Sequence, residues 1–166
     1  MTENTLCACG SGLAGLRCCQ APEAALVAPA AGWRLDPLLA EAEAALGKND
    51  RTRALALARD VLDLAPGRID ALWLLARLLR LEGPASAAEA VLRRIIARNP
   101  NHVGATHDLT LLLFGRGALA EAEQQARNAV RIAPQHPQSH NLLGMVLTEA
   151  NHAWIGEYHY RRALEL

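Results

Sequence analysis

The chain has 166 residues, of which 51% are hydrophobic and 20% are charged, and this composition excludes disorder along its whole length. Its 17 Lys and Arg residues balance 17 Asp and Glu residues, so it lacks the basic surplus with which nucleic-acid-binding proteins attract phosphate. Aromatic residues make up only 4%, which disfavours a β-sandwich or barrel, whereas the helix-favouring residues Ala, Leu, Arg and Glu are abundant. We therefore expect an all-α protein.

The N-terminus has no secretory or membrane-spanning pattern. Residues 1–6 are polar and lack the basic start and apolar core of a signal peptide. The longest apolar runs, 71–76 and 109–114, are far shorter than the ~18–20 residues that cross a bilayer. We expect a cytoplasmic protein with no membrane partner, in a compartment that disfavours disulfides and leaves thiolates for metals.

Four cysteines lie close together near the N-terminus: Cys7, Cys9, Cys18 and Cys19. Four thiolates complete a tetrahedral structural zinc site, with Zn–S distances of about 2.3 Å and no open position for a catalytic water. Residues 10–12, Gly-Ser-Gly, allow the backbone to reverse between the two cysteine pairs. A segment this short has no hydrophobic core, so its folding requires the metal. We predict one structural Zn²⁺ per chain, with disulfides or unliganded thiols as the alternatives.

The run CACGSGLAGLRCC, residues 7–19, resembles the SEC-C motif, a small zinc knuckle at the tail of the SecA translocation motor and in many bacterial proteins. The resemblance implies that all four cysteines are zinc ligands. Residues 13–17 depart from the motif, which usually has several lysines and an aromatic residue there. The basic face that contacts the export chaperone SecB or the ribosome is therefore not carried over.

We divide the N-terminal part into the knuckle, residues 1–20, and an Ala/Pro-rich linker, residues 21–34. Trp33, near the end of this linker, is placed to dock onto the helices that follow and to cap them.

The rest of the chain, residues 35–166, contains an internal repeat. Pro66, Pro100 and Pro134 each follow an amphipathic segment, and they are spaced 34 residues apart. This period resembles the tetratricopeptide repeat, a helix–turn–helix unit. It divides the solenoid into units 35–68, 69–102, 103–136 and an incomplete 137–166.

Two columns of small residues run in phase with these prolines. We expect them where the two helices of each unit cross closely: Ala42, Ala76, Thr110 and Gly144 in the first helices, and Ala54, Ala88, Ala122 and Gly156 in the second. The predicted helices cover residues near 36–47, 51–64, 69–82, 85–98, 103–115, 119–132, 137–150 and 153–166. The resemblance implies a right-handed superhelix of antiparallel helix pairs, with the first helices lining its concave wall.

This groove is the predicted binding site for a peptide or protein partner. By the resemblance, the wall carries Asp70, Trp73, Arg77, Arg80, His107, Leu111, Phe114, Asn141 and Met145. Trp and Arg are the residue types that most often anchor protein interfaces. The alternative is that Trp73 caps the core and both arginines are only solvated.

The last unit has no polar capping helix after it, so we expect Leu147, Tyr160, Ala163 and Leu164 to be partly uncovered. That end would be covered by self-association, or the sequence is a truncation of a longer protein. No enzyme motif occurs, so we expect no catalytic residues in this chain. The alternative function is the substrate-recruiting N-terminal region of a larger bacterial enzyme. Such an enzyme would be a sulfotransferase or a 2-oxoglutarate/iron oxygenase resembling aspartyl/asparaginyl β-hydroxylase.

Overall fold

The computed structural model describes the backbone of residues 32–166 and the side chains of residues 35–166. Within this part the chain forms eight helices and no strand, which confirms the all-α prediction. The helices are α1 Gly32–Gly47, α2 Arg51–Leu64, α3 Ile69–Glu82, α4 Ala85–Arg98, α5 Val103–Gly115, α6 Leu119–Ile132, α7 Pro137–Glu149 and α8 Ala153–Glu165. Their bounds agree with the predicted ranges to within one residue everywhere except at the start of α1.

Helix α1 begins at Gly32 and not near residue 36, so the last three residues of the predicted linker are helical. Proline lacks the N–H that a helix interior needs, so it is commonest in the first turn of a helix. The structure places Pro37 inside α1 instead. Leu35 and Leu39, one turn apart, are both buried, so the apolar face of α1 extends upstream of the proline. The remaining linker residues and the Trp33 side chain fall outside the described part of the chain.

The described part of the chain divides into two compact units, with the boundary between Ile95 and Ile96. In the first unit α1 packs on α2, α2 packs on α3, and α1 also contacts α3. In the second unit each of α5, α6 and α7 packs on the helix that follows it, and α5 also contacts α7. Each unit therefore has the arrangement that the repeat predicts, in which consecutive helices pair and neighbouring first helices touch.

The two predicted columns of small residues are buried in every helix pair. The last pair shows why they must be small. A Cβ atom added to Gly144 of α7 would lie 3.0 Å from the carbonyl oxygen of Gly156 in α8. A Cβ added to Gly156 would lie 2.8 Å from the Gly144 oxygen and 2.5 Å from Oγ1 of Thr148. The two backbones therefore cross closer than a side chain permits.

Three of the turns inside the helix pairs share one conformation. Asn49, Gly117 and Asn151 occupy the same position in the repeat, and all three have positive φ, between 62° and 77°. Asn and Gly are the residues that tolerate this left-handed region best. After each of them, the next backbone N–H donates to a carbonyl five residues upstream: Asp50 to Ala45, Ala118 to Leu113, and His152 to Leu147.

The turn between α3 and α4 differs from the other three. The residue that would donate the equivalent N–H is Pro84, which has none. Gly83 accordingly has a φ of −100°, and its own N–H donates to Leu79 O at 2.7 Å. This turn is therefore not closed in the way that the other three are.

At the C-terminal end the prediction was partly wrong. Leu147 is fully buried, because α8 packs along α7 and covers it. Tyr160 and Ala163 are partly exposed, and Leu164 is 89% exposed. No helix in the described part of the chain has the length and apolar character needed to span a bilayer.

The close crossing of α7 and α8 predicts a large cost for one added methyl group. We expect Gly156→Ala to lower the free energy of unfolding by about 1–3 kcal/mol, because the new Cβ would overlap backbone and Thr148 atoms. Gly115→Ala is the control, since a Cβ there meets nothing within 4 Å. Urea unfolding followed by circular dichroism measures both. Equal stability of the two variants would contradict the close-crossing account.

Candidate functional site

Four of the predicted groove residues form one surface on α3, which we call the α3 patch: Asp70, Trp73, Arg77 and Arg80. They recur every three or four residues, so they share one side of the helix. The buried residues of α3 occupy the rest of its circumference: Ala71, Leu72, Leu74, Leu75, Ala76, Leu78 and Leu79. Helix α3 therefore has one packed face and one accessible face.

Trp73 and Arg77 are in direct contact within the α3 patch. Cζ of Arg77 lies 5.6 Å from the centre of the Trp73 ring, a distance typical of a cation–π interaction. Trp73 is only partly buried, and so is Arg77. The indole therefore has an accessible part and a guanidinium over its ring.

The beginning of the α3 patch is fixed to the neighbouring first helix. Arg68, the residue just before α3, forms an ion pair with Asp36 of α1. The same guanidinium lies 3.8 Å from Asp70, between Nη2 and Oδ2. Asp70 therefore has a nearby positive charge, whereas Arg77 and Arg80 extend the patch as cations. The α3 patch offers an aromatic ring and two guanidinium groups on an exposed helix side.

The second unit carries the remaining predicted residues on α5 and α7, two helices that touch. Leu111, Phe114 and Met145 are partly exposed, and Asn141 is exposed. His107 is different, because it is only 5% exposed and its Nε2 lies 2.8 Å from Oγ of Ser139 in α7. Only a small part of the ring is therefore accessible to a partner. His107 joins α5 to α7.

The surroundings of His107 favour its neutral form. Burial, followed by the neighbouring imidazole of His136, lowers the pKa of His107, and Asp108 opposes this effect. The His107 and His136 ring centres are 5.3 Å apart in an edge-on arrangement. A charged His107 would lose its hydration in this buried position, and the Ser139 hydroxyl does not compensate the charge as a carboxylate would.

A second histidine pair, which the sequence did not suggest, connects α7 to α8. Nε2 of the buried His140 lies 3.0 Å from the Pro134 carbonyl oxygen, and since a carbonyl only accepts, His140 donates there. Its Nδ1 then accepts from Nδ1 of His159, 3.0 Å away. Burial, followed by His140, lowers the pKa of His159. The repeat register could have indicated the burial of His140. Leu72 and Thr106 occupy the same repeat position in the two preceding units, and both are also buried.

These histidines form pairs and not a metal centre: the described residues contain no group of three or more His, Cys, Asp or Glu side chains placed to hold a metal ion. The proposed zinc ligands, Cys7, Cys9, Cys18 and Cys19, are outside the region that the structure describes. The accessible side of α3, with its indole ring and two guanidinium groups, is chemically suited to binding another molecule.

Comparison with known proteins agrees with the repeat assignment. The tetratricopeptide repeat family matches residues 45–110 and 79–146, which together span more than half of the chain. The chain therefore belongs to the tetratricopeptide repeat family.

Solved structures share the fold. MamA from Desulfovibrio magneticus superposes with a TM-score of 0.70 at 23% identity, and the match covers 80% of this chain and 75% of that one. A thermophilic TPR protein from Thermus thermophilus also gives a TM-score of 0.70 at 23% identity, over 80% of this chain and 74% of its own. No curated protein matches the sequence.

The lowered pKa of His107 predicts acid sensitivity. In the unfolded chain this histidine has its ordinary pKa near 6.5, and in the folded chain its pKa is lower. Between these two values the unfolded chain binds more protons, so stability is complete above the unfolded pKa and is lost as the pH falls below it. We expect the urea midpoint to decrease between about pH 7.5 and about pH 5.5.

His107→Gln should make this decrease smaller, because an amide can still hydrogen-bond to Ser139 but does not titrate in this range. His152→Gln, at an exposed position, is the matched control and should keep the wild-type pH dependence. An unchanged dependence in His107→Gln would show that His107 is not a source of the acid sensitivity.

Proposed function

We propose that this protein is a binding module that holds a polypeptide partner on the α3 patch. The observation that carries the proposal is the Arg77 guanidinium held over the partly exposed Trp73 ring, 5.6 Å from its centre. A ring restrained by such a contact loses less conformational entropy on binding, and Trp and Arg are the commonest anchors of protein interfaces.

The chemistry of the patch selects the kind of segment that it binds. Arg80 is exposed next to the Trp73–Arg77 pair, and guanidinium groups bind carboxylates through two parallel hydrogen bonds. The favoured partner is therefore a polypeptide segment that places an Asp or Glu side chain beside an apolar or aromatic residue. Leu111, Phe114 and Met145 of the second unit provide a separate, apolar contact surface.

We further propose that the four N-terminal cysteines bind one structural Zn²⁺, so that the protein combines a zinc knuckle with the repeats. Supporting this proposal are the cysteine spacing and the Gly-Ser-Gly turn between the pairs. The protein would act in the cytoplasm, where thiolates remain reduced.

The partner-binding proposal is tested with the double variant Trp73→Ala/Arg77→Ala. A partner is first identified by crosslinking in the native cell, and its purified binding segment is titrated against the full chain. We expect the double variant to bind at least about tenfold more weakly, since loss of one interface anchor alone can have this effect.

The control is Trp154→Ala/Arg161→Ala on α8, which removes the same residue types from another exposed surface. It should bind like the wild type, and circular dichroism should show that both variants are folded. Full binding by the α3 double variant would place the site elsewhere.

The zinc proposal has a separate test. Protein purified without added chelator should contain about one zinc per chain by elemental analysis, and Cys18→Ser/Cys19→Ser should lose it. Helical circular dichroism should change little, because the repeats are stabilised by packing on one another. A wild-type protein free of zinc would exclude the knuckle, whereas collapse of the helical signal in the variant would show that the two parts do not fold separately.

A further inference from the structure

A cleft in the first unit lies between α2, the end of α3 and the open turn at Gly83 and Pro84. Its volume is about 250 Å³. On α2 it is lined by Arg51, Leu55 and Arg59, which are spaced four residues apart and therefore form one stripe along the helix. We call it the α2–α3 cleft.

The floor of the α2–α3 cleft is apolar. Leu78 and Leu79 of α3 line it, and only 4% and 6% of their surface is exposed. Leu55 of α2 contributes a partly exposed side chain. The cleft is smaller than the roughly 300–1,000 Å³ pockets that hold drug-sized ligands, so it suits a smaller molecule.

The two cations of the α2–α3 cleft differ in their surroundings. Nη1 of Arg51 donates to Glu82 Oε1 at 3.0 Å, so that pair is close to neutral. In contrast, Nε of Arg59 is buried and has no hydrogen-bond partner among the residues that the structure describes. A buried guanidinium N–H without an acceptor costs free energy. Arg59 as a whole is only partly buried and lines the cleft, so the accessible part of its guanidinium is what an incoming acceptor meets.

We propose that the α2–α3 cleft binds a small molecule with one carboxylate and an apolar body. The carboxylate accepts from the Arg59 guanidinium, and the body packs against Leu55, Leu78 and Leu79. A single negative charge is favoured, because Glu82 already offsets Arg51 and only Arg59 remains to be balanced. A planar carboxylate also matches the geometry of a guanidinium better than other anions of this size.

This site is distinct from the α3 patch. At about 100° per residue, Leu78, Leu79 and Glu82 lie on the side of α3 opposite to Trp73 and Arg77. A ligand in the α2–α3 cleft would therefore not occupy the surface proposed for the polypeptide partner, and each proposal can fail without the other.

The test uses the full chain and the probe 3-phenylpropionate, with the neutral 3-phenylpropanamide for comparison. Binding is followed by amide chemical shifts in ¹H–¹⁵N spectra. We expect saturable shifts at residues of α2 and the end of α3, with a Kd on the order of 1 mM. The amide should bind about tenfold more weakly, because it lacks the charge that strengthens the hydrogen bonds to Arg59.

Two variants test the role of charge in opposite directions. Arg59→Met keeps a long helix-compatible side chain and should weaken binding of 3-phenylpropionate about tenfold. Glu82→Gln removes the anion paired with Arg51 and should tighten binding about threefold. Arg53→Met is the control, since Arg53 lies on the same helix but is exposed and pairs with Glu41. It should bind like the wild type.

Absence of saturable shifts, equal affinity for the acid and the amide, or weaker binding by Glu82→Gln would overturn the proposal. The affinity of Glu82→Gln tests the proposal even if Arg59→Met does not fold. A pentapeptide, Gly-Gly-Gly-Gly-Phe, that binds more than about tenfold more tightly than 3-phenylpropionate would assign the cleft to a protein C-terminus, which also overturns it.

Discussion

The structure depends on the close crossing of the two helices in each pair. The small side chains at the crossing points, from Ala42 and Ala54 to Gly144 and Gly156, allow backbone approach that larger residues would prevent. This approach buries the Leu, Val and Ile side chains on either side of the crossing without large aromatic residues. It also determines which residues remain outside. On α3 the packed face takes up most of the helix circumference, and the remaining side carries the α3 patch.

Polar contacts then fix neighbouring first helices side by side. In the first unit the ion pair between Arg68 and Asp36 connects the start of α3 to α1. In the second unit the hydrogen bond between His107 and Ser139 connects α5 to α7. Each contact joins residues about one repeat apart, so it maintains the alignment of the surface that the first helices present. A surface ordered in advance would reduce the entropic cost of the polypeptide binding that we propose.

The periodicity was sufficient to predict the helices, because a 34-residue repeat places equivalent turns, crossings and caps at equivalent positions. Prediction from the repeat failed at positions where a residue behaves differently from the equivalent residues of the other units. The first helix was predicted to begin near residue 36, but α1 begins at Gly32, and the buried Leu35 lies upstream of Pro37. His107 was predicted to face the groove, but its ring is almost fully buried and hydrogen-bonded to Ser139. The α2–α3 cleft could not be predicted at all, because it depends on the turn at Pro84 and on an unpartnered Arg59 nitrogen, which are features of three-dimensional contacts.

The central claim is that the exposed side of α3 is where a polypeptide partner binds, and site-specific photo-crosslinking tests it most directly. A benzophenone amino acid would replace Asp70 in one version of the protein and Ala56, exposed on α2, in the other. Both versions would be irradiated in the cell that produces the protein. The account predicts a discrete crosslinked polypeptide from position 70 and none from position 56. A crosslink from position 56 together with none from position 70 would contradict it.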